Sequence, residues 1–202
     1  LRALRTLKEV EVVLCEDTRV TKKLLAAYDV DTPVMSYHQH SDAKKVGEIM
    51  SLLEEGKDLA LVTDAGTPGV SDPGTVLVEQ VVGHGVDVVP IPGAAAVTAA
   101  ASVAGVPTDA FLFLGFLPKK KGRAKILEEI RTSKRTVIFY ESTHRIEKTV
   151  EELKEILNND LDNDHNPPSP PYLKGGEIIR KMVVCRELTK KFETIYRGCL
   201  LY

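Results

Sequence analysis

Leu59-Ala60-Leu61-Val62-Thr63-Asp64-Ala65-Gly66-Thr67-Pro68-Gly69-Val70-Ser71-Asp72-Pro73-Gly74-Thr75-Val76-Leu77-Val78 is the stretch on which the fold turns. Its apolar run 59–62 reads as a buried strand, and 75–78 opens a helical pattern. Between them lies a glycine-rich loop, in which Gly66, Gly69 and Gly74 permit positive φ and close approach of a ligand to the backbone. Asp72 and Pro73 take the places of helix N-cap and first helical residue. A loop at the carboxyl end of a strand is where open α/β sheets hold small ligands. An ordinary tight turn would use the same residues. The loop contains neither G-x-G-x-x-G nor G-x-x-x-x-G-K-[ST], the dinucleotide and phosphate-loop signatures, and no Lys or Arg. It suits a ligand with a neutral or cationic body held by backbone groups.

Outward from this loop, strands and helices alternate. On the N-terminal side, Leu1, Leu4 and Leu7 have helical spacing, and the chain starts mid-pattern at Leu1, so an upstream segment is expected to be missing. Strand 12–15 runs into Glu16-Asp17-Thr18-Arg19, either a charged cluster lining a cleft or an N-cap with a solvated first turn. The next helix turns Leu24, Leu25 and Tyr28 inward. Strand 33–37 leads to His38-Gln39-His40, where no third ligand is evident nearby, so no metal is assigned. Helix 43–55 carries Val46, Ile49, Met50 and Leu53 on one face and stops at Gly56.

Beyond the loop, 86–91 reads as a further buried strand. Pro92-Gly93-Ala94-Ala95-Ala96 is a second small-residue turn, which either seats a ligand or packs a helix against the sheet. The alternation argues a largely parallel sheet covered on both faces. Strand 110–114 ends at Gly115-Phe116-Leu117-Pro118. The run Lys119-Lys120-Lys121-Gly122-Arg123 either holds RNA phosphates or is a solvated loop. Helix 124–132, strand 136–140 and helix 146–157 follow, with Glu141-Ser142-Thr143-His144-Arg145 at the strand end. The Asn-, Asp-, Pro- and Gly-rich stretch 158–176 reads as a flexible surface insertion. Strands 182–185 and 194–197 close the chain.

The chain has 202 residues, a formal net charge of −2 and three cysteines without a C-x-x-C. No global positive field draws in nucleic acid, so an RNA partner requires local basic patches. The cysteine pattern fits a reducing, cytoplasmic compartment and no disulfide or zinc framework. No apolar run approaches a membrane span, and no signal peptide is visible.

Seven motifs in order resemble one family: 14–19, Ser36-Tyr37-His38-Gln39-His40, 64–74, 92–96, 115–118, Phe139 through Arg145, and Arg186-Glu187-Leu188-Thr189-Lys190-Lys191. They look like the bacterial small-subunit ribosomal RNA (cytidine-2′-O)-methyltransferases of the tetrapyrrole-methylase superfamily. The resemblance implies an α/β fold of two domains, 1–109 and 110–202, with a mostly parallel sheet in the first and a mixed sheet in the second. It implies S-adenosylmethionine in the cleft between them, against Gly66, Thr67, Val70, Ala95 and Ala96, with Tyr140, Arg186, Glu187 and Leu188 from the second domain. It also implies a homodimer acting on small-subunit rRNA or the assembled small ribosomal subunit, at a cytidine of the decoding region. The family's initial strand and Pro-Ile-Gly-Asn loop are absent, the end after Gly198 departs from its pattern, and the 158–176 stretch is foreign to it.

The chemistry implied is attack of a ribose 2′-hydroxyl on a donor methyl, which needs positioning and removal of one proton. Candidate bases are Asp17, Glu141 and His144. Candidate RNA contacts are Arg19, Lys119, Lys120, Lys121, Arg123 and Arg145. The alternatives are a tetrapyrrole C-methyltransferase of the same superfamily and a non-catalytic ribosome- or RNA-binding remnant.

Overall fold

Three short apolar runs pair side by side to found the first half of the protein: β1 (Val12–Cys15), β2 (Val34–Ser36) and β3 (Leu59–Leu61). In the computed structural model, which describes residues 1–38, 41–158 and 180–200, they form a parallel sheet of order β2-β1-β3. Val13 pairs with Val34 on one side and Ala60 on the other. The backbone divides into two units, Leu1–Ala95 and Ala96–Tyr202.

In the first unit, α1 (Arg2–Glu9), α2 (Thr18–Ala27), α3 (Ala43–Glu54) and α4 (Thr75–Gly83) alternate with the strands. The core joins Leu14 and Tyr37 to Ile49 and Met50 of α3 and to Leu77 and Val81 of α4. Each such side chain contributes roughly 1.5–3 kcal/mol when fully buried. On α2, Leu25 is buried, but Leu24 and Tyr28 are exposed and Thr21 lies inside instead. The helix rotates so that positions 21 and 25, one turn apart, face the sheet. The expected inward placement of Leu24 and Tyr28 is therefore corrected.

A second correction concerns 86–91, which is not a strand. No described strand pairs with it, and Val88 and Val89 are exposed. An apolar run becomes a strand only when a neighbouring strand pairs with its backbone. A third is the start of α4. Its N-cap is Gly74 at φ 136°, so Asp72 and Pro73 remain in the loop.

In the second unit, α5 (Ala96–Ala104) precedes β4 (Phe111–Phe116), α6 (Arg123–Thr132), β5 (Thr136–Tyr140), α7 (Ile146–Asn158), β6 (Arg180–Arg186) and β7 (Thr194–Leu200). β4 and β5 are parallel, whereas β6 and β7 form an antiparallel ribbon with Val183 opposite Arg197. The core joins Leu117, Leu127, Ile130, Leu153 and Leu157. β4 extends through Gly115 and Phe116, two residues beyond the expected end, because a bulge restores pairing at Phe116. Most of the expected insertion at 158–176 lies outside the described residues.

Candidate functional site

Parallel pairing puts the carboxyl ends of β1 and β3 on one side of the sheet, so the residues that follow them meet. The Thr63 hydroxyl donates to Glu16 Oε1 at 2.7 Å. Asp72 lies beside this pair: burial, then the charges of Glu16 and Asp64, push its carboxyl above the usual range, and its interaction with the Thr63 hydroxyl opposes them. A Cβ on Gly66 would stand 3.5 Å from Asp72 Oδ2. Three carboxylates thus gather under the glycine loop, which itself carries no cation. The sequence places Glu16 in a charged cluster at a strand end and Asp72 as a helix cap, and names neither among the catalytic or cofactor-binding candidates. The sequence signal for their meeting is their position, Glu16 just after one strand and Asp72 within the loop after another.

The loop's shape depends on its glycines. Gly66, Gly69 and Gly74 have φ 81°, 80° and 136°. At Gly74 a Cβ would come within 2.9 Å of Leu61 Cδ2, so the loop packs directly on β3. Gly69 N–H donates to Pro73 O at 3.2 Å and Val70 N–H to Thr67 O at 3.1 Å. Among the described residues, the N–H groups of Gly66 and Thr67 donate to nothing, and Gly66, Thr67 and Val70 are all exposed. Ala95, just before α5, is half-buried, and Ala96, the first residue of α5, is exposed.

Asp17 is the N-cap of α2. It accepts from Arg19 N at 2.8 Å, Arg19 Nη2 at 2.8 Å and Arg19 Nε at 3.1 Å. The bonds from the Arg19 side chain and N–H hold its carboxyl down to about 2. A carboxylate so stabilised is a weak proton acceptor. Arg19 is exposed and shares its charge with Asp17.

In the second unit, Glu141, Arg123 and Arg145 form one network. The Glu141 side chain is 2% exposed. Its Oε1 accepts from Arg145 Nη2 at 2.5 Å and from Ser142 N at 2.7 Å, and its Oε2 accepts from the fully buried Thr149 hydroxyl at 2.9 Å. Arg123 donates to Glu152 Oε2 from Nε and Nη2, to Thr149 Oγ1 at 2.8 Å and to Pro118 O at 3.0 Å. Arg145 Nη1 donates to Leu117 O at 3.2 Å. The donors of Arg123 and Arg145 and the oxygens of Glu141 are thus spent inside this unit. Lys119, Lys120 and Lys121 are exposed and in no ion pair among the described residues. His144 is exposed too, without a side-chain partner among the described residues.

Tyr140, at the end of β5, packs edge-on to Phe113 with centroids 5.1 Å apart and is half-buried. Arg186 is exposed, Glu187 and Leu188 are half-buried, and Glu187 sits at φ 51°. No group of three metal-ligating side chains occurs among the described residues, while Gln39 and His40 fall outside them. No described helix is long and apolar enough to cross a membrane. A hollow lined by Lys22, Leu25, Val30 and Pro33 lies at the opposite, N-terminal end of β2, apart from the candidate residues.

Residues 1–200 match the family profile described as Tetrapyrrole (Corrin/Porphyrin) Methylases. Over 200 residues the chain is 43% identical to the protein of Halalkalibacterium halodurans named ribosomal RNA small subunit methyltransferase I, covering 98% of this chain and 62% of that one. The Thermotoga maritima protein of the same name is 37% identical over 198 residues, covering 98% of this chain and 80% of that one. The chain thus spans about three fifths of the first relative's length. The solved uroporphyrin-III C-methyltransferase of Thermus thermophilus, in complex with S-adenosylhomocysteine, superposes with a TM-score of 0.57 at 16% identity, over 98% of this chain and 80% of that one.

Proposed function

Because the chain belongs to the tetrapyrrole (corrin/porphyrin) methylase family, we propose that it transfers a methyl group from S-adenosylmethionine to the ribose 2′-hydroxyl of a cytidine in small-subunit ribosomal RNA. The observation that carries this reading is the strand-end site itself. Gly66 and Thr67 are exposed, their N–H groups donate to nothing among the described residues, the carboxylates of Glu16, Asp64 and Asp72 cluster at the same strand ends, and the loop has no basic side chain. Such a surface favours a cationic ligand with polar groups for backbone donors and disfavours a polyphosphate. The shared name of the similar relatives supports small-subunit ribosomal RNA as the acceptor molecule, and the seven sequence motifs support a cytidine 2′-hydroxyl on it.

When bound, the donor supplies an electrophilic methyl group on a positively charged sulfur. The chain's part is to hold the reactants and take away one proton. Gly66 and Thr67 offer hydrogen-bond donors, Val70 an apolar face, and Ala95 and Ala96 a surface without long side chains. We assign Tyr140, Arg186, Glu187 and Leu188 to the same donor. Of the three candidate bases, His144 has the free side chain, whereas Asp17 is held near 2 and Glu141 is enclosed by its network. We therefore give the proton-accepting role to His144. RNA phosphates fall to Lys119, Lys120, Lys121 and Arg19, and Arg123 and Arg145 hold the surrounding backbone. The protein acts as a cytoplasmic homodimer on the small ribosomal subunit, and light scattering tests the dimer.

The test is calorimetric titration of S-adenosylmethionine, followed by transfer of labelled methyl to unmethylated small subunits. Saturable binding is expected, abolished by Ala95→Trp with the helical signal retained, and the label should map to a cytidine 2′-oxygen. A folded chain that neither binds the donor nor labels the subunit refutes the reading.

A further inference from the structure

Within the proposed RNA methyltransferase, on whose reading this rests, we infer that Phe116 is a stacking platform for a base of the substrate RNA. Phe113 pairs with Ile138, but Phe116 pairs with Tyr140, so β4 holds one residue more than β5 over the same span. Gly115, buried and at φ 60°, sits within that bulge. Bulges re-aim side chains and cluster beside active sites. Here Gly115 and Leu117 are buried, whereas Phe116 between them is 62% exposed. Its ring rests on Tyr140, with centroids 5.1 Å apart and planes inclined at 55°. Tyr140 is the residue assigned to the donor, so the platform adjoins it.

The chain beyond Phe116 is fixed. Leu117 O accepts from Arg145 and Pro118 O from Arg123, both guanidiniums being held by the enclosed Glu141 network. Immediately after come Lys119, Lys120 and Lys121, exposed and in no ion pair among the described residues. A rigid, exposed aromatic face followed by free cations complements a polyanion that carries planar groups. Single-stranded RNA has that chemistry, because unstacked bases lie on aromatic rings while phosphates meet lysines. A duplex keeps its bases stacked on one another and offers no face to the ring.

The chain contains no tryptophan, so Phe116→Trp introduces a single reporter at the platform. Titration with a short, unstructured, cytidine-containing oligoribonucleotide should quench its emission. Phe116→Ala should weaken binding of that oligonucleotide by about 5- to 150-fold, the range for one base–aromatic stack, and Phe116→Tyr should restore it. The salt dependence of binding should be unchanged in Phe116→Ala and reduced on charge reversal of Lys119, Lys120 and Lys121. Equal affinity of wild type and Phe116→Ala, unquenched tryptophan, or no oligonucleotide binding by the wild-type chain overturns the platform. S-adenosylmethionine titration of the same variants separates the two readings. Stacking without donor binding would leave the platform standing and remove the methyl-transfer reading.

Discussion

Replacing Arg123 by alanine should destabilise the second unit by about 3 kcal/mol. Arg123 Nη1 lies 3.8 Å from Glu141 Oε2, and the two side chains are 12% and 2% exposed. At an effective dielectric near 20 that pair attracts by about 4 kcal/mol. The bonds to Thr149 Oγ1 and Pro118 O add about 1 kcal/mol each. Returning the guanidinium to water recovers several kcal/mol of desolvation. Glu152 is a quarter exposed, with Lys148 Nζ 3.8 Å away, so it is readily resolvated. What remains is close to the cost of breaking a buried pair. Native-state hydrogen exchange reads this unit by unit. The slowest amides of β4, α6 and α7 should exchange about 150-fold faster, since each 1.4 kcal/mol is tenfold. Arg123→Lys should fall between wild type and Arg123→Ala, because a point charge cannot serve Glu152, Thr149 and Pro118 at once. Lys121→Ala, on the exposed run, should change exchange little. If Arg123→Ala exchanged like Lys121→Ala, the network would not be a structural clamp.

Gly74→Ala should cost about 1–3 kcal/mol, since the residue is at φ 136° and its Cβ would meet Leu61 at 2.9 Å; an unchanged melting temperature would count against the packed loop. Thr149→Val should cost about 1–3 kcal/mol by removing a donor to Glu141 and an acceptor for Arg123. Thr149→Ser should recover most of it in the same melts. Burial and the Glu16 and Asp64 charges raise the Asp72 carboxyl. The folded state therefore binds that proton more tightly than the unfolded one, and stability is lost as pH rises through the folded value. Asp72→Asn should accordingly raise the melting temperature at neutral pH. The gain should vanish at about pH 3, where the carboxyl is protonated in both states; an equal gain at both pH values would refute the clustered-carboxylate picture.

Which parts of this were readable beforehand follows the range of the forces involved. The runs at 12–15, 59–62 and 136–140 announced strands because short apolar segments between polar ends have few other outcomes. A helix cap at Asp17 or Thr18 was readable because such a bond, here from the Arg19 N–H to Asp17, is local. The run at 86–91 has the same apolar character, but its pairing depends on a neighbour and no described strand provides one. The end of β4 was misplaced because Gly115 reads as a stop, whereas here it admits an extra residue and pairing resumes at Phe116.

By itself, then, the sequence determined the order of strands and helices apart from the run at 86–91, the glycine loop after β3 and the motifs that mark the family. All of these rest on hydrophobic periodicity, backbone freedom and contacts between near neighbours. Tertiary structure decided which charged residues remain available. Arg123 and Glu152 are 29 positions apart, yet they share a hydrogen bond that takes Arg123 from the basic run and leaves its three lysines exposed. Glu16 and Thr63 are 47 apart and meet only because β1 and β3 run parallel. A charge written in a sequence carries no record of its partner. Burial of both decides whether it binds a ligand or holds the fold together.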